Sequence, residues 1–507
     1  MLILMITIPV LTQAQKRPNI IWITCEDISP FLPSFGDSTI RTPNLSRLAA
    51  EGIRFTRMFS TYGVCGPSRS SIITGMYPGS IGAMDMRTGT AHKTVPYLPD
   101  YEAVPPPEVK CFTEYLRAAG YYCTNNAKTD YQFNCPITAW DENGKKATWQ
   151  HRAPGQPFFA VFNIGVTHES QIWVRQNRPL HVDPDQVPVP PYFPQHNPVI
   201  RTDIARMYDN IMQMDKRVGE LLGQLKEAHL MDSTIIVFCS DHGGPIAWYK
   251  REVYDRGTHI PFIVRFPDKR RAGTADTALH SLVDMAPTFL SLAGLPIPEY
   301  LQGQAFLGKQ KAAHSRRYVY TGRDRMDEQY DLIRAVRDNH YQYVRNYDPD
   351  ISKYHDNAYR SSMPMMREIL RLKSVDSLNG PLKAWFSLKP AEELYDLRTD
   401  PYELHNIVNE KSYAKVAGRM REALNSWIIR IRDKGFMQEK ELIGMMWHGT
   451  EKPVTAAPVM KVADHHGNTM VVTMTCPTKG ASIAYHLNTD PPDYWHLYTR
   501  GITIPQG

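Results

Sequence analysis

The sequence is poor in cysteine, in long apolar runs and in excess charge of either sign. Seven cysteines are spread over 507 residues, which excludes a small scaffold held together by disulfides. After residue 15 no apolar run is long enough to cross a bilayer, so an integral membrane segment is excluded. The formal net charge is +6. This mild excess gives no argument for a nucleic-acid partner, although it suits a polyanionic substrate.

The composition itself is that of an ordinary globular protein. Hydrophobic residues make up 42% of the chain and charged residues 22%. These values exclude a largely disordered protein, a collagen-like repeat and a bare coiled coil. The length predicts about three domains.

The first 15 residues are typical of a secretory signal. Met1–Val10 is almost wholly apolar and Leu11–Gln15 is polar, and the apolar run is too short to span a bilayer. A cut after Ala14 is expected. No basic residue precedes the apolar run and Thr12 fits a cleavage site poorly, so a buried first strand is the alternative. The signal predicts a periplasmic or secreted protein, and the lack of Cys at the cut argues against a lipoprotein anchor.

Short apolar strands alternate with helices in the first 315 residues. The predicted strands are Asn19–Cys25, Phe158–Ile164 and Thr234–Cys239. The predicted helices are Pro43–Gly52, Glu108–Gly120 and Arg201–Leu230. Thr202 or Asp203 is expected to cap the last helix. Residues 177–201 are rich in proline and are expected to form an extended connector without helix. The alternation predicts an α/β fold with a mainly parallel sheet.

The character of the sequence changes twice after residue 315. Shorter, more polar strands are predicted at 316–320, 332–336 and 340–344, followed by a helix at 414–432. Strands at 470–475 and 481–487 suggest a separate β module at the end. We therefore divide the chain into a signal (1–15), an α/β domain (16–315), an α+β subdomain (316–447) and a small β-sandwich-like module (448–507).

Acidic pairs follow two of the predicted buried strands. Glu26 and Asp27 follow the first strand, and Asp241 with His242 follows the strand at 234–239. Ligands of open α/β sheets bind at this carboxyl edge. The four side chains are expected to meet if the two strands are near neighbours.

Residues 65–69 read Cys-Gly-Pro-Ser-Arg, with Thr74-Gly75 a short distance downstream. Pro67 near the first position of a helix would place Cys65 at the helix N-terminus. Backbone N–H groups and the helix dipole favour a bound anion there. The alternative is a helix-capping loop with an incidental cysteine.

This motif resembles the signature of the sulfatase family, part of the alkaline-phosphatase-like superfamily. Further elements follow in the family's order: Gly75–Pro78 with Gly82, Gly120–Lys128, Thr167-His168, Ser240–Gly243 with Lys250 and Gly257–Pro261, and Glu393–Leu397 with Asp400, Pro401 and Glu403. The resemblance covers residues 18 to about 430. It implies an alkaline-phosphatase-like core, with a mainly parallel mixed sheet flanked by helices, in the domain 16–315.

The resemblance also implies a mechanism. In the family a maturation enzyme converts the signature cysteine, here Cys65, to formylglycine, whose hydrate attacks sulfur. The metal ligands implied for one Ca²⁺ ion are Glu26, Asp27, Cys65, Asp241 and His242. The catalytic residues implied beside Cys65 are Arg69, Lys128, Asp130, His168 and Lys250. Arg69 would orient the hydrate, the two lysines and His168 would balance charge on sulfate, and His168 or Lys250 would protonate the leaving oxygen.

Two departures from the family pattern affect these assignments. Glu26 stands where the family more often has Asp, and Asp130 stands where it commonly has His. Asp130 is a candidate base in place of that His. His92, His181, His196 and His259 are either pocket residues or, more in keeping with ordinary burial, structural or surface histidines.

The expected activity is removal of sulfate from a sulfated polysaccharide or oligosaccharide. Two alternative activities on the same fold are hydrolysis of phosphonate monoesters or phosphodiesters and an N-sulfoglucosamine-type sulfohydrolase. A non-catalytic sugar-binding protein is a third alternative. A buried cluster of carboxylates argues against it, because such a cluster is costly unless a metal pairs it.

Overall fold

The structure is a computed structural model that describes residues 17–88, 98–466, 469–491 and 494–505. The predicted signal 1–15 and His92 lie outside the described residues. Within those four ranges no helix is both long enough and apolar enough to cross a membrane.

A large mixed sheet forms the centre of the molecule. Its strands are β1 Asn19–Cys25, β2 Ile53–Phe59, β3 Tyr122–Asn126, β4 Glu142–Asn143, β5 Phe158–Ile164, β6 Thr234–Ser240, β7 His259–Arg265, β8 Thr274–Asp276 and β9 His280–Ser281. The order is β4-β3-β5-β1-β6-β7-β2-β8, with β9 also paired to β2. β1 runs parallel to both β5 and β6, whereas β7 is antiparallel to β6 and β2. The predicted α/β class with a mainly parallel sheet is confirmed.

Helices cover both faces of this sheet. They are α1 Pro43–Glu51, α2 Cys65–Thr74, α3 Pro78–Ile81, α4 Phe112–Ala118, α5 Ser170–Val174, α6 Pro198–Glu227, α7 Asp255–Thr258 and α8 Met285–Leu292. Side chains of β1 alternate between two buried clusters, as the two-residue period of a strand requires. Ile21 and Ile23 pack in the cluster that includes α6, while Ile20 and Trp22 pack in the cluster that includes α4 and α8.

Two helix predictions were wrong in detail. α6 begins at Pro198 rather than in the 201–203 region, and its cap is Asn197, whose Oδ1 accepts from the N–H groups of Val199 (3.0 Å) and Ile200 (3.2 Å). Proline is tolerated at the first helical position because its missing N–H would have no helical partner there. The proline-rich segment 177–201 therefore includes a helix start. α4 is shorter than the predicted Glu108–Gly120 and is capped at Cys111.

The C-terminal part contains two further regions. The first has the antiparallel strands β10 Val319–Arg323, β11 Ile333–Arg337, β12 Tyr341–Asn346 and β13 Glu392–Asp396, with the helices α9 Pro364–Ser374, α10 Gly380–Trp385, α11 Ala414–Ile431 and α12 Glu439–Trp447. The second has β14 Val459–His466, β15 Thr469–Thr475, β16 Ala484–Tyr485, β17 His496–Leu497 and β18 Ile502–Pro505. The predicted α+β and all-β characters are confirmed, although the strand predicted at 481–487 is only the two-residue β16. The boundaries at 315 and 447 stay predictions.

Strand register aligns the ends of β1, β5 and β6. Cys25 lies opposite both Ile164 and Ser240. The residues that follow these three strands therefore emerge together at one edge. Because β7 returns antiparallel to β6, the connection between them leaves and re-enters the sheet at this same edge, which keeps Lys250 there.

Candidate active site

The two predicted acidic pairs meet at this edge of the sheet. The main-chain N–H of Asp27 donates to Asp241 Oδ1 (3.2 Å), and His242 Nε2 lies 3.1 Å from Asp27 Oδ1. Glu26 is the fourth member, and all four side chains are buried. Asp27 has a φ of +54°, a strained backbone conformation for a residue other than glycine. The turn after β1 is thus bent so that the Asp27 carboxylate points at the end of β6.

Cys65 faces this carboxylate cluster from the first residue of α2. Its Sγ lies 3.3 Å from His242 Nε2, 3.6 Å from Lys250 Nζ and 3.9 Å from Asp27 Oδ1. The side chain is fully buried. The sequence prediction that Cys65 begins a helix is confirmed, and the structure places the thiol among groups from two distant parts of the chain, one following β1 and one following β6.

The surroundings of Cys65 favour its ionised form. Burial raises the pKa of the thiol, but the nearby Lys128 and Lys250 ammonium groups outweigh burial and lower the pKa to about 6. Neighbouring cations are the ordinary cause of an acidic cysteine. Cys65 differs in this from five other cysteines, because burial raises the pKa of Cys25, Cys111, Cys123, Cys135 and Cys239.

Two overlapping groups of side chains have the donors that a metal ion requires. One consists of Asp27, Cys65, Asp241 and His242, and the other of Glu26, Asp27, Cys65 and His168; within each group the ligand atoms lie within 4.8 Å of one another. Carboxylate oxygens are the ligands preferred by hard divalent cations. The side chains of Asp27 and Asp241, which supply such oxygens in the first group, have no exposed surface. The residues present therefore fit a divalent cation.

Arg69 approaches the cluster from the next turn of α2. Its Nε donates to Asp241 Oδ2 (3.0 Å) and its Nη1 donates to Asn163 Oδ1 (2.8 Å). Its Nη2 is buried and has no hydrogen-bond partner within the part of the chain that the structure describes. Burial lowers the pKa of the guanidinium, but Asp241 and Glu26 raise it by more than burial lowers it, so the group stays charged. A buried, charged donor without a partner is suited to an anionic oxygen.

Lys128 and Asp130 lie beside Glu26. Lys128 Nζ lies 2.5 Å from Glu26 Oε2 and 3.5 Å from Asp130 Oδ2. Asp130 Oδ1 also accepts from Arg87 Nη1 (3.2 Å). Burial raises the pKa of Asp130, but Lys128 and Arg87 outweigh it, and the net shift is downward. Asp130 is thus an ionised carboxylate between two cations.

His168 and Lys250 complete the set of predicted residues. Lys250 Nζ donates to Asp27 Oδ2 (2.7 Å) and lies 3.3 Å from His168 Nε2. His168 Nδ1 lies 2.8 Å from Ser170 Oγ, which fixes the ring orientation. Burial and Lys250 lower the pKa of His168, but Asp27 and Cys65 raise it, and the net shift is upward. All the residues predicted for the site therefore lie together.

Sequence reasoning missed four residues of this site. The N–H of Glu169 donates to Asp27 Oδ2 (2.7 Å), and its carboxylate forms a bidentate pair with Arg251 (2.9 Å for each bond) and lies 3.2 Å from Lys250 Nζ. Asn163 and Arg87 are the other two. Glu169 and Arg251 each adjoin a predicted residue along the chain, which is the only signal that the sequence offered.

The remaining histidines have other positions. His259 stacks on Phe59 with ring centroids 4.9 Å apart and shares a hydrogen bond with the Thr56 carbonyl (2.8 Å). His181 and His196 are exposed. These three are structural or surface histidines, as their ordinary burial behaviour predicted.

The site and its sheet define a class of hydrolase: an alkaline-phosphatase-like fold with a cysteine, carboxylates and several cations at the carboxyl edge. The sequence model of the family described as Sulfatase matches residues 18–134 and 122–295. A second model, N-sulphoglucosamine sulphohydrolase, C-terminal, matches residues 244–383.

Similar proteins agree with these two matches. An ulvan-active sulfatase of Formosa agariphila is 43% identical over 97% of this chain and 88% of its own length. Human N-sulphoglucosamine sulphohydrolase is 25% identical over 82% of this chain and 91% of its own. The chain belongs to the sulfatase family, and it is a sulfuric ester hydrolase.

Solved structures share the fold. A protein in complex with its substrate D-glucosamine-2-N,6-O-disulfate has a TM-score of 0.61 at 18% identity, covering 83% of this chain and 100% of that one. The phosphonate monoester hydrolase of Agrobacterium radiobacter also has a TM-score of 0.61, at 17% identity over 83% of this chain and 97% of its own. At these identities the likeness is one of fold.

Proposed function

We propose that this sulfatase releases sulfate from a sulfated polysaccharide of the ulvan type, with Cys65 matured to formylglycine and with one Ca²⁺ ion. The observation that carries the proposal is the position of Cys65, within 4 Å of His242, Lys250 and Asp27. The choice of ulvan is supported by the 43% identity to an ulvan-active sulfatase. The several cationic side chains of the site also suit a polyanionic sugar.

The residue at position 65 supplies the nucleophile. Formylglycine provides an aldehyde whose hydrate offers two hydroxyl groups, which a thiol does not. The chain holds this position at the N-terminus of α2, where unpaired backbone N–H groups favour negative charge. Lys250 Nζ, 3.6 Å from Cys65 Sγ, is placed to stabilise an oxyanion there.

Asp27, Asp241, His242 and the group at position 65 would hold the cation. Carboxylate oxygens favour Ca²⁺ or Mg²⁺ over softer ions. The choice of Ca²⁺ between these two follows the resemblance to the sulfatase family. Glu26 Oε2 forms an ion pair with Lys128 Nζ at 2.5 Å. We therefore assign Glu26 to the rim of the metal site, where it positions Lys128, rather than to the centre.

Cationic side chains would bind the sulfate group. The free Nη2 of Arg69 and the ammonium groups of Lys128 and Lys250 converge on the space beside Cys65. Asp130 lies between Lys128 and Arg87 and is ionised, so we assign it the alignment of those two cations rather than proton transfer.

His168 would protonate the leaving oxygen. The side chain of His168 is 16% exposed, whereas that of Lys250 is 3% exposed and is held by Asp27 and Glu169. The histidine is thus the group nearer the mouth, where the sugar would leave. A general acid must reach the oxygen that departs.

Two further parts of the proposal concern the maturation and the location of the protein. Maturation of Cys65 requires a formylglycine-generating enzyme as a partner. A polymer substrate and the secretory character of residues 1–15 favour action in the periplasm or outside the cell.

The test is sulfate release from ulvan by matured protein, measured by ion chromatography. Cys65→Ala in the same host is the matched control. Release by the wild type and none by the variant supports the proposal. Faster turnover of a phosphonate monoester than of any sulfated glycan would overturn it in favour of the alternative hydrolase.

A further inference from the structure

Partly exposed side chains around the site include cations and aromatic rings. Lys128 and Arg87 have 25% and 29% of their side chains exposed. His168 lies next to Tyr359, with ring centroids 6.3 Å apart. Tyr359 in turn packs edge-on against Trp173, at 5.2 Å between centroids. The reaction described above uses neither of these two aromatic residues.

Tyr359 keeps an unusually large surface free for a residue beside a buried site. The residue is 45% exposed, whereas Cys65 has no exposed surface. Within the described ranges no group forms a hydrogen bond with its hydroxyl, so no polar contact explains the exposed part of the ring. An exposed aromatic face beside a catalytic pocket is a usual feature of sites that bind a ring-shaped ligand.

The segment that carries Tyr359 is held firmly in place. Asn357 Nδ2 donates to Asp327 Oδ2 (2.6 Å), and Asn357 Oδ1 accepts from the N–H of Arg360 (2.8 Å). The Arg360 guanidinium lies over the rings of Tyr354 (4.9 Å) and Trp385 (5.2 Å). These contacts fix the backbone on both sides of Tyr359.

Trp173 supports the ring of Tyr359. It lies on α5 and packs against the large buried cluster that includes α6. Because both residues are anchored before any ligand binds, little conformational entropy is lost when a ligand stacks on them.

We infer that Tyr359, supported by Trp173, is a sugar-binding platform that stacks on the ring of the sulfated sugar and thereby selects glycan sulfates. The negative face of an aromatic ring attracts the C–H groups on the apolar face of a sugar. With the ring stacked on Tyr359, the sulfate would point past His168 toward Lys128 and Cys65. This inference rests on the proposed function, because it concerns the glycan that the site accepts.

The experiment compares Tyr359→Ala and Tyr359→Phe with the wild type on ulvan. Inorganic sulfate, as a competitive inhibitor, is the second probe, because it fills the anion site but has no ring to stack. We expect Tyr359→Ala to raise KM for ulvan about tenfold, with kcat and the Ki of sulfate changed less than about twofold. Tyr359→Phe keeps the ring, so its KM should stay within about twofold of the wild type.

Tyr402→Ala is the matched control, since Tyr402 is 42% exposed and lies outside the site. A Tyr359→Ala enzyme with an unchanged KM would overturn the inference. So would a parallel rise in KM and in the Ki of sulfate, because that result indicates damage to the anion site. A wild type that releases no sulfate from ulvan would instead contradict the proposed function, and the inference with it.

Discussion

Asp27 and Asp241 are joined directly: the main-chain N–H of one donates to the carboxylate of the other across 3.2 Å. The two residues are far apart in sequence but follow strands β1 and β6, which pair residue by residue. The carboxylates are therefore in position before any metal binds. A preformed set of ligands avoids the cost of assembling the site around the ion.

Replacement of Asp241 should remove both the metal and the alignment of Arg69. Asp241→Asn keeps the shape of the side chain but loses its charge, so we expect sulfatase activity to fall about 10³-fold or more. Metal content, measured by mass spectrometry of the purified protein, should fall with it. Asp232→Asn, at a side chain 93% exposed, is the control. A variant with full metal content and wild-type activity would contradict the assignment.

Arg69→Lys should keep the positive charge but lose the fork of donors. The buried Nη2 without a partner and the bond to Asn163 would both disappear. We expect kcat to fall about 10²-fold, because one lost donor to a developing negative charge has that effect. Asn163→Ala removes one Arg69 contact but leaves the free nitrogen, so its loss should be smaller. If steady-state kinetics gave equal falls in kcat for Arg69→Lys and Asn163→Ala, Nη2 would have no special role.

The Glu169–Arg251 pair should contribute to stability as well as to the site. Glu169→Gln takes the bidentate carboxylate away from the buried Arg251 and leaves Lys250 with Asp27 alone, so the free energy of unfolding should fall by about 3 kcal/mol. The exposed pair Arg217–Glu220 offers a matched control. Glu220→Gln should change stability by less than about 1 kcal/mol in the same urea titration. Similar effects of the two substitutions would contradict this account.

Asp203 should make stability depend on pH. Burial raises its pKa to about 7, although its carboxylate accepts a hydrogen bond from the N–H of Met365 (2.6 Å). The folded protein then holds a proton that the unfolded chain, with an ordinary pKa of 3.8, releases. Its contribution therefore lowers the free energy of unfolding as pH rises from about 4 to 7, by at most about 1.4 kcal/mol per pH unit.

Asp203→Asn removes this titration and keeps an oxygen for Met365. The difference in melting temperature between variant and wild type should therefore shift in favour of the variant between pH 5 and pH 7.5. Asp185→Asn, at a side chain 86% exposed, should show no such trend. A constant difference between variant and wild type across this range would mean that Asp203 is ionised throughout.

Much of the site was accessible from the sequence, for a definite physical reason. Glu26, Asp27, Asp241 and His242 follow buried apolar strands, and parallel strands end at a common edge. Their meeting needed only that β1 and β6 be neighbours, which they are. The remaining predicted residues were found by their order along the chain, in a motif series that resembles a family.

The missed residues have no local pattern. Glu169 is identified by its bidentate pairing with Arg251, and Arg87 by its contact with Asp130, both of which depend on long-range packing. The start of α6 at Pro198 was missed because proline was taken to exclude helix, although the first turn tolerates it. Antiparallel β7, which keeps Lys250 at the site, could not be distinguished from a parallel strand by composition.

The most direct test of the account is the mass of the peptide that contains Cys65, taken from protein matured in a host with a formylglycine-generating enzyme. Conversion lowers the mass by about 18 Da, because sulfur is exchanged for oxygen and two hydrogens are lost. We predict this mass loss, with sulfate release from ulvan rising in proportion to the converted fraction. An intact thiol in protein that is nevertheless fully active, or full conversion without any sulfatase activity, would contradict the account.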